Sequence, residues 1–144
     1  MIAYDLIGQT PLVLLESFSD ENVKIYAKLE QFNPGGSVKD RLGKYLVEKA
    51  IEDGRLKEGG TIVEATAGNT GIGLAIVANR YKVKCVIYAP EGFSEEKISI
   101  MKALGADVRR TRKADGMIGA QKEAKTYAEK YDALYMNQFG TEDN

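Results

Sequence analysis

Four short apolar runs, near residues 61–65, 84–88, 107–111 and 133–136, alternate with longer stretches of helical period, and this alternation constrains the fold more than any other feature. Strands that each return in the same direction after a helix build a parallel sheet. Right-handed crossovers and short connections give these four runs the spatial order third, second, first, fourth (3-2-1-4). The helical stretches run from Ser37 to Asp53, Asn69 to Tyr81, Ser94 to Leu104 and Gly116 to Tyr131. In the first, Val38, Leu42, Tyr45, Leu46, Lys49 and Ala50 mark the expected packed face, with Gly54 as terminator. In the last, the expected buried stripe is Ile118, Ala124, Tyr127, Ala128 and Tyr131. Ser94 and Lys97 form half a capping box. Ahead of these units, Leu12–Leu15 and Val23–Glu30 read as two short strands around a polar turn at Ser19–Asn22. The expected class is α/β: an open four-stranded parallel sheet flanked by helices, with a two-strand N-terminal appendage.

In that order the chain reverses between the strand ending near Glu64 and the one ending near Met136, and open sheets bind ligands in the crevice at such a reversal. The rim would be Thr66–Thr70 on one side and Gln138–Phe139 on the other.

Composition excludes several classes of chemistry. The chain has 144 residues, enough for one domain, and carries 20 basic and 21 acidic side chains with a net charge of −1. That balance favours neither nucleic acid nor an anionic membrane as partner. The one basic cluster, Arg109-Arg110-Thr111-Arg112-Lys113, reads as a solvated strand end and loop rather than a phosphate patch. There is no histidine for a zinc site, a Ser-His-Asp triad or a Cys-His pair, so no metal centre is expected. The lone Cys85 cannot form an internal disulfide and sits in an apolar run as a core residue. Residues Met1 to Leu6 lack the start of a secretion signal, and no apolar run approaches the ~20 residues that span a bilayer, so a cytoplasmic location is expected.

Two segments carry the chemistry. In Asn33-Pro34-Gly35-Gly36-Ser37-Val38-Lys39-Asp40-Arg41 a Gly- and Pro-rich turn delivers one amine to a helix start. The partial positive charge of that terminus disfavours a second positive charge, and burial would push Lys39 further toward its neutral, nucleophilic form. In Glu64-Ala65-Thr66-Ala67-Gly68-Asn69-Thr70-Gly71-Ile72-Gly73 a strand turns into a helix, presenting backbone N–H groups with hydroxyl and amide donors beside them. Such a turn captures an anion, most naturally a substrate carboxylate. Its glycines at 68, 71 and 73 do not match the dinucleotide fingerprint.

With Ile7-Gly8-Gln9-Thr10-Pro11-Leu12, Met101–Asp107 and Asn137-Gln138-Phe139, these segments resemble the cysteine synthase and cystathionine beta-synthase family of pyridoxal-phosphate enzymes, of the tryptophan synthase beta-chain fold. The resemblance implies that Lys39 holds pyridoxal 5'-phosphate covalently and then acts as base at the substrate α-carbon. It gives Thr66, Ala67, Gly68, Asn69, Thr70 and Gln138 the substrate carboxylate, with Asn69 also bonding the cofactor ring oxygen. Ala67 and Ala65 depart from the family pattern, where many members have serine and proline. The implied reaction is β-replacement on O-acetyl-L-serine or a related β-substituted serine, with sulfide or homocysteine giving cysteine or cystathionine. The wording of ATAGNTGIG and EGFSEEK is closer to the O-acetylserine-dependent cystathionine beta-synthase branch.

Family members are roughly twice this length. The expectation is therefore an N-terminal part of such an enzyme: residues 1–36 packing on a larger C-terminal domain absent from this sequence, and residues 37–144 forming the small mobile domain. The absent part would supply the phosphate cradle, so these residues alone would hold the cofactor poorly and be inactive. Expected partners are an amino-acid substrate, a thiol and a second copy of the chain in a homodimer. The alternative is a catalytically inactive domain that serves only binding or assembly.

Overall fold

The computed structural model describes residues 2–144, and its sheet follows the expected order. Strands β3 (Thr61–Ala65), β4 (Lys84–Pro90), β5 (Asp107–Thr111) and β6 (Leu134–Tyr135) lie as β5-β4-β3-β6, every pair parallel. The crossovers run through α2 (Asn69–Tyr81), α3 (Glu95–Ala103) and α4 (Gly116–Tyr131), while α1 (Lys39–Glu52) precedes β3. Strands β1 (Leu12–Leu14) and β2 (Tyr26–Lys28) form the separate antiparallel pair. The second of these is shorter than Val23–Glu30, because Val23 and Ile25 remain exposed and have no second sheet face to bury them.

Alternation along β3 divides the core into two layers. Ile62 faces α1, α2 and α3 with Leu46, Val47, Leu74, Val77, Ile87, Ile98 and Met101. Val63 and Ala65 face α4 with Val86, Tyr88, Ala120 and Ala124. Helix ends follow backbone chemistry: Gly54 (φ 79°) and Gly105 (φ 86°) take left-handed turns after α1 and α3. Lys82 and Asp132 do the same after α2 and α4 without glycine's freedom. At the start of α3, Ser94 Oγ accepts the Lys97 N–H at 3.3 Å, the expected half box.

Two packing faces differ from expectation. On α1 the buried residues are Asp40, Gly43, Leu46, Val47 and Ala50, while Val38 and Tyr45 are exposed. The face is rotated because α1 meets α2 at its smallest residue: a Cβ on Gly43 would lie 2.7 Å from the Gly73 carbonyl carbon, and one on Gly73 would lie 2.6 Å from the Lys39 carbonyl oxygen. On α4 only Ala120 and Ala124 are fully buried, and Ile118 and Tyr131 are exposed. Ile118, two residues before Ala120, projects from the opposite side of the helix, and Tyr131 lies in its last turn.

The N-terminal segment is tied to α1 by the Tyr4 hydroxyl, which donates to Glu48, and by the Arg41 guanidinium. Arg41 donates to Glu30 (2.8 Å and 3.0 Å), to the Gly8 carbonyl (2.8 Å) and to Thr10 Oγ1 (3.2 Å), holding Glu30 down to about 2 chiefly by hydrogen bonding to it. Leu12, Phe18, Val23, Tyr26 and Phe32 are nonetheless exposed on this segment. No helix among the described residues is long and apolar enough to cross a membrane.

Candidate functional site

The Gly-rich turn before α1 is closed by the residue that follows the lysine. Asp40, fully buried, accepts the Gly35 N–H at 2.5 Å, and a Cβ on Gly35 would collide with that carboxylate. Burial raises the Asp40 carboxyl above its ordinary range, the Gly35 hydrogen bond notwithstanding. Ser37 Oγ accepts the Lys39 N–H at 3.1 Å, so both ends of the turn are fastened and Lys39 occupies the first position of the helix. Its side chain is half-buried, and its amine has no hydrogen-bond or ion-pair partner among the described residues.

Across the helix crossing lies the second segment. The Thr66 N–H donates to the Tyr88 carbonyl (3.0 Å), pinning the end of β3 to β4, and Thr66 Oγ1 accepts the Gly68 N–H (3.1 Å), folding the loop on itself. The Thr66 hydroxyl proton remains available to a ligand. Gly68 caps α2 with no side chain, so the N–H groups of Asn69 and Thr70 have no intrahelical acceptor and are donors of the kind that suit an anion. A Cβ on Gly68 would find nothing nearer than Thr66 Oγ1 at 3.9 Å, leaving open space beside those donors.

Gln138 completes the arrangement. It is buried, and its side-chain oxygen accepts the Thr70 hydroxyl at 2.7 Å across the sheet reversal. The structure thus joins Thr66, Ala67, Gly68, Asn69, Thr70 and Gln138 in one place. It sets the backbone of Lys39 against α2 at Gly73, one turn beyond Asn69. The unpartnered amine, the free helix N–H groups and the open space at Gly68 fit a covalently held aldehyde cofactor beside an amino-acid carboxylate.

One member of this cluster had no role in the sequence reading. Glu64, fully buried on β3, accepts the Ala65 N–H on Oε1 (2.7 Å) and the Gln138 N–H on Oε2 (2.9 Å). Its signal in the sequence was an acid inside an apolar strand. Burial pushes its carboxyl up to about 7 from 4.5 against the two hydrogen bonds. The folded state therefore holds this proton more tightly than the unfolded chain, and stability should fall as pH rises from 4.5 to about 7. The loss approaches roughly 3 kcal/mol. Chemical denaturation at pH 5 and pH 8 should show this drop, and Glu64→Gln should reduce it.

The basic cluster lies elsewhere. Arg109 pairs with Asp107 (2.9 Å), Arg110 with Glu95 (2.9 Å) and Arg112 with Asp115 (2.8 Å), so acids of the chain itself neutralise the strand end. An open groove of about 670 Å³ runs beside α4, bordered by Tyr88, Arg109, Lys122, Tyr127 and Tyr131, and contains none of the site residues.

Comparison with known proteins points the same way. The family model described as "Pyridoxal-phosphate dependent enzyme" matches residues 3–144. The O-acetylserine dependent cystathionine beta-synthase of Bacillus subtilis (strain 168) is 54% identical over 121 residues, which cover 83% of this chain and 39% of that protein. A cysteine synthase of Helicobacter pylori is 46% identical, covering 97% of this chain and 47% of its own length. The crystal structure of an O-acetylserine dependent cystathionine beta-synthase from Helicobacter pylori superposes with a TM-score of 0.88 at 45% identity, covering 99% of this chain and 49% of the other. The chain spans less than half the length of these relatives.

Proposed function

The chain belongs to the pyridoxal-phosphate-dependent enzyme family, and we propose that it carries the covalent lysine and the carboxylate grip of an enzyme replacing the β-substituent of O-acetyl-L-serine. Sulfide or homocysteine is the nucleophile, in keeping with relatives named cysteine synthase and O-acetylserine dependent cystathionine beta-synthase. The observation that carries this reading is the backbone contact of Lys39 with α2 at Gly73, immediately behind the anion-binding turn.

When bound, pyridoxal phosphate supplies an electron sink for the charge left at the substrate α-carbon. Lys39 Nζ would hold the cofactor and would take the α-proton of the bound substrate. The N–H groups of Asn69 and Thr70 and the Thr66 hydroxyl fix the carboxylate, and Gln138 closes the far side through Thr70. The Asn69 amide would bond the cofactor ring oxygen. Net, the bond from the β-carbon to oxygen would break with its electron pair leaving on acetate, the thiol sulfur would bond to that carbon with loss of its S–H proton, and the α-proton held on Lys39 Nζ would return to the α-carbon.

In the same reading residues 37–144 are the mobile small domain, and residues 1–36 pack against a larger domain. Homodimerisation is supported by the apolar side chains left bare on β1, β2 and their connections. A cytoplasmic setting suits the lone buried thiol of Cys85. A protein that joins these residues to such a larger domain, supplied with pyridoxal phosphate and O-acetyl-L-serine, should release acetate and form cysteine with sulfide or cystathionine with homocysteine, whereas residues 1–144 alone should hold the cofactor poorly and be inactive. No acetate release with either thiol would contradict catalysis and favour a role in binding or assembly.

A further inference from the structure

The regular pairing of β6 with β3 stops one step short of the site. Ile62 faces Leu134, Val63 faces Tyr135, and the Met136 N–H still reaches the Val63 carbonyl at 3.0 Å. Asn137 then turns into the left-handed region (φ 50°), and the extended strand ends. The next N–H on this path, that of Gln138, meets the side chain of Glu64 at 2.9 Å instead of a main-chain carbonyl. A carboxylate thus extends the sheet ladder by one hydrogen bond, and the residue it captures is the one whose side chain accepts the Thr70 hydroxyl.

We propose that Glu64 is a positioning residue for substrate binding: by holding the Gln138 backbone, it sets the Gln138–Thr70 bridge and thereby the carboxylate grip. This rests on the reading of Thr66–Thr70 and Gln138 as that grip. Glu64 touches neither substrate nor cofactor in this role; it acts through Gln138.

The chemistry around Glu64 makes the role dependent on its charge. Both carboxylate oxygens accept a backbone N–H, so the ionised form satisfies both donors, whereas a proton on either oxygen competes with one of them. The titratable groups facing it are Cys85 on β4 and Tyr135 on β6. Both are themselves pushed up to about 12, by burial first and by the Glu64 charge second. The α2 turn contributes only neutral side chains, from Asn69 to Leu74, and no lysine or arginine pairs with the carboxyl among the described residues. Ionisation, centred at about 7, therefore weakens the fold while strengthening the hold on Gln138. A purely structural Glu64 would show only the first of these opposed trends.

The test is calorimetric titration with L-serine at pH 6 and pH 8 of the cofactor-loaded protein in which these residues are joined to the larger domain, on wild type, Glu64→Gln and Thr70→Val. Glu64→Gln should bind about tenfold more weakly than wild type at pH 8, since its amide turns a donor toward one of the two N–H groups. It should also lose most of the tightening that wild type shows from pH 6 to pH 8. Thr70→Val should be weaker at both pH values, and the double variant little worse than either single one. If Thr70→Val weakens binding while Glu64→Gln matches wild type within twofold, the positioning role is overturned and the carboxylate grip survives. If Thr70→Val has no effect, the grip itself fails and this inference with it. Should Glu64→Gln not fold, amide exchange in the unaltered protein decides. Protection of the Gln138 N–H should rise from pH 6 to pH 8 relative to that of Met136, and equal protection at both overturns the proposal.

Discussion

In a protein that joins these residues to the larger domain, Lys39→Ala is expected to abolish covalent retention of pyridoxal phosphate and to lower β-replacement turnover by about a thousandfold or more, with the fold intact. The lysine side chain is half-buried, and its amine has no partner among the described residues, so removing it breaks no internal bond. Stability should therefore change by less than ~1 kcal/mol, as at ordinary surface positions. Lys39→Arg should be no better than alanine, because a guanidinium stays protonated and cannot bond the aldehyde. Borohydride reduction followed by peptide mass analysis provides the check. The wild-type peptide containing Lys39 should carry the pyridoxyl group, and neither variant should.

Gly73→Ala should damage both the fold and the site. The new methyl would meet the Lys39 carbonyl oxygen at 2.6 Å, its carbon at 3.0 Å and the Asp40 Cα at 3.1 Å, all backbone atoms of a packed helix. Alanine gains ~1 kcal/mol of helix propensity, but forcing two helices apart costs typically 1–3 kcal/mol and more where no side chain can swing away. The clash should win, with a net loss of about 2 kcal/mol and a fall in melting temperature of roughly 5–10 °C. Because the displaced atoms belong to Lys39, turnover should fall by about a hundredfold in whatever folds. Gly68→Ala is the control: its methyl meets no atom closer than 3.9 Å, so the melting temperature should hold while the methyl occupies ligand space.

The contrast between these two glycines shows where sequence reasoning stops. Strand positions, helix extents and sheet order were legible because each unit repeats one local rule, a short apolar run followed by a helical period. The rotated face of α1 was not, because periodicity weighs apolar bulk and favours Tyr45, whereas the crossing selects Gly43 for having no side chain. The exposure of Ile118 and Tyr131 follows from which side and which turns of α4 meet the sheet, settled only once the layers are assembled. Of the candidate site, Lys39 and the Thr66–Thr70 loop were legible as candidates from residue type at a helix start. The part played by Glu64 depends on the left-handed turn at Asn137, 73 residues away, and no local pattern encodes it.

The most direct measurement is a crystal structure of the protein with pyridoxal phosphate and an unreactive amino acid bound. The cofactor should be joined to, or within reach of, the Lys39 amine, with the amino-acid carboxylate on the Asn69 and Thr70 N–H groups beside Gln138. A Lys39 amine turned to the outer surface, with the cofactor held elsewhere, would contradict the account.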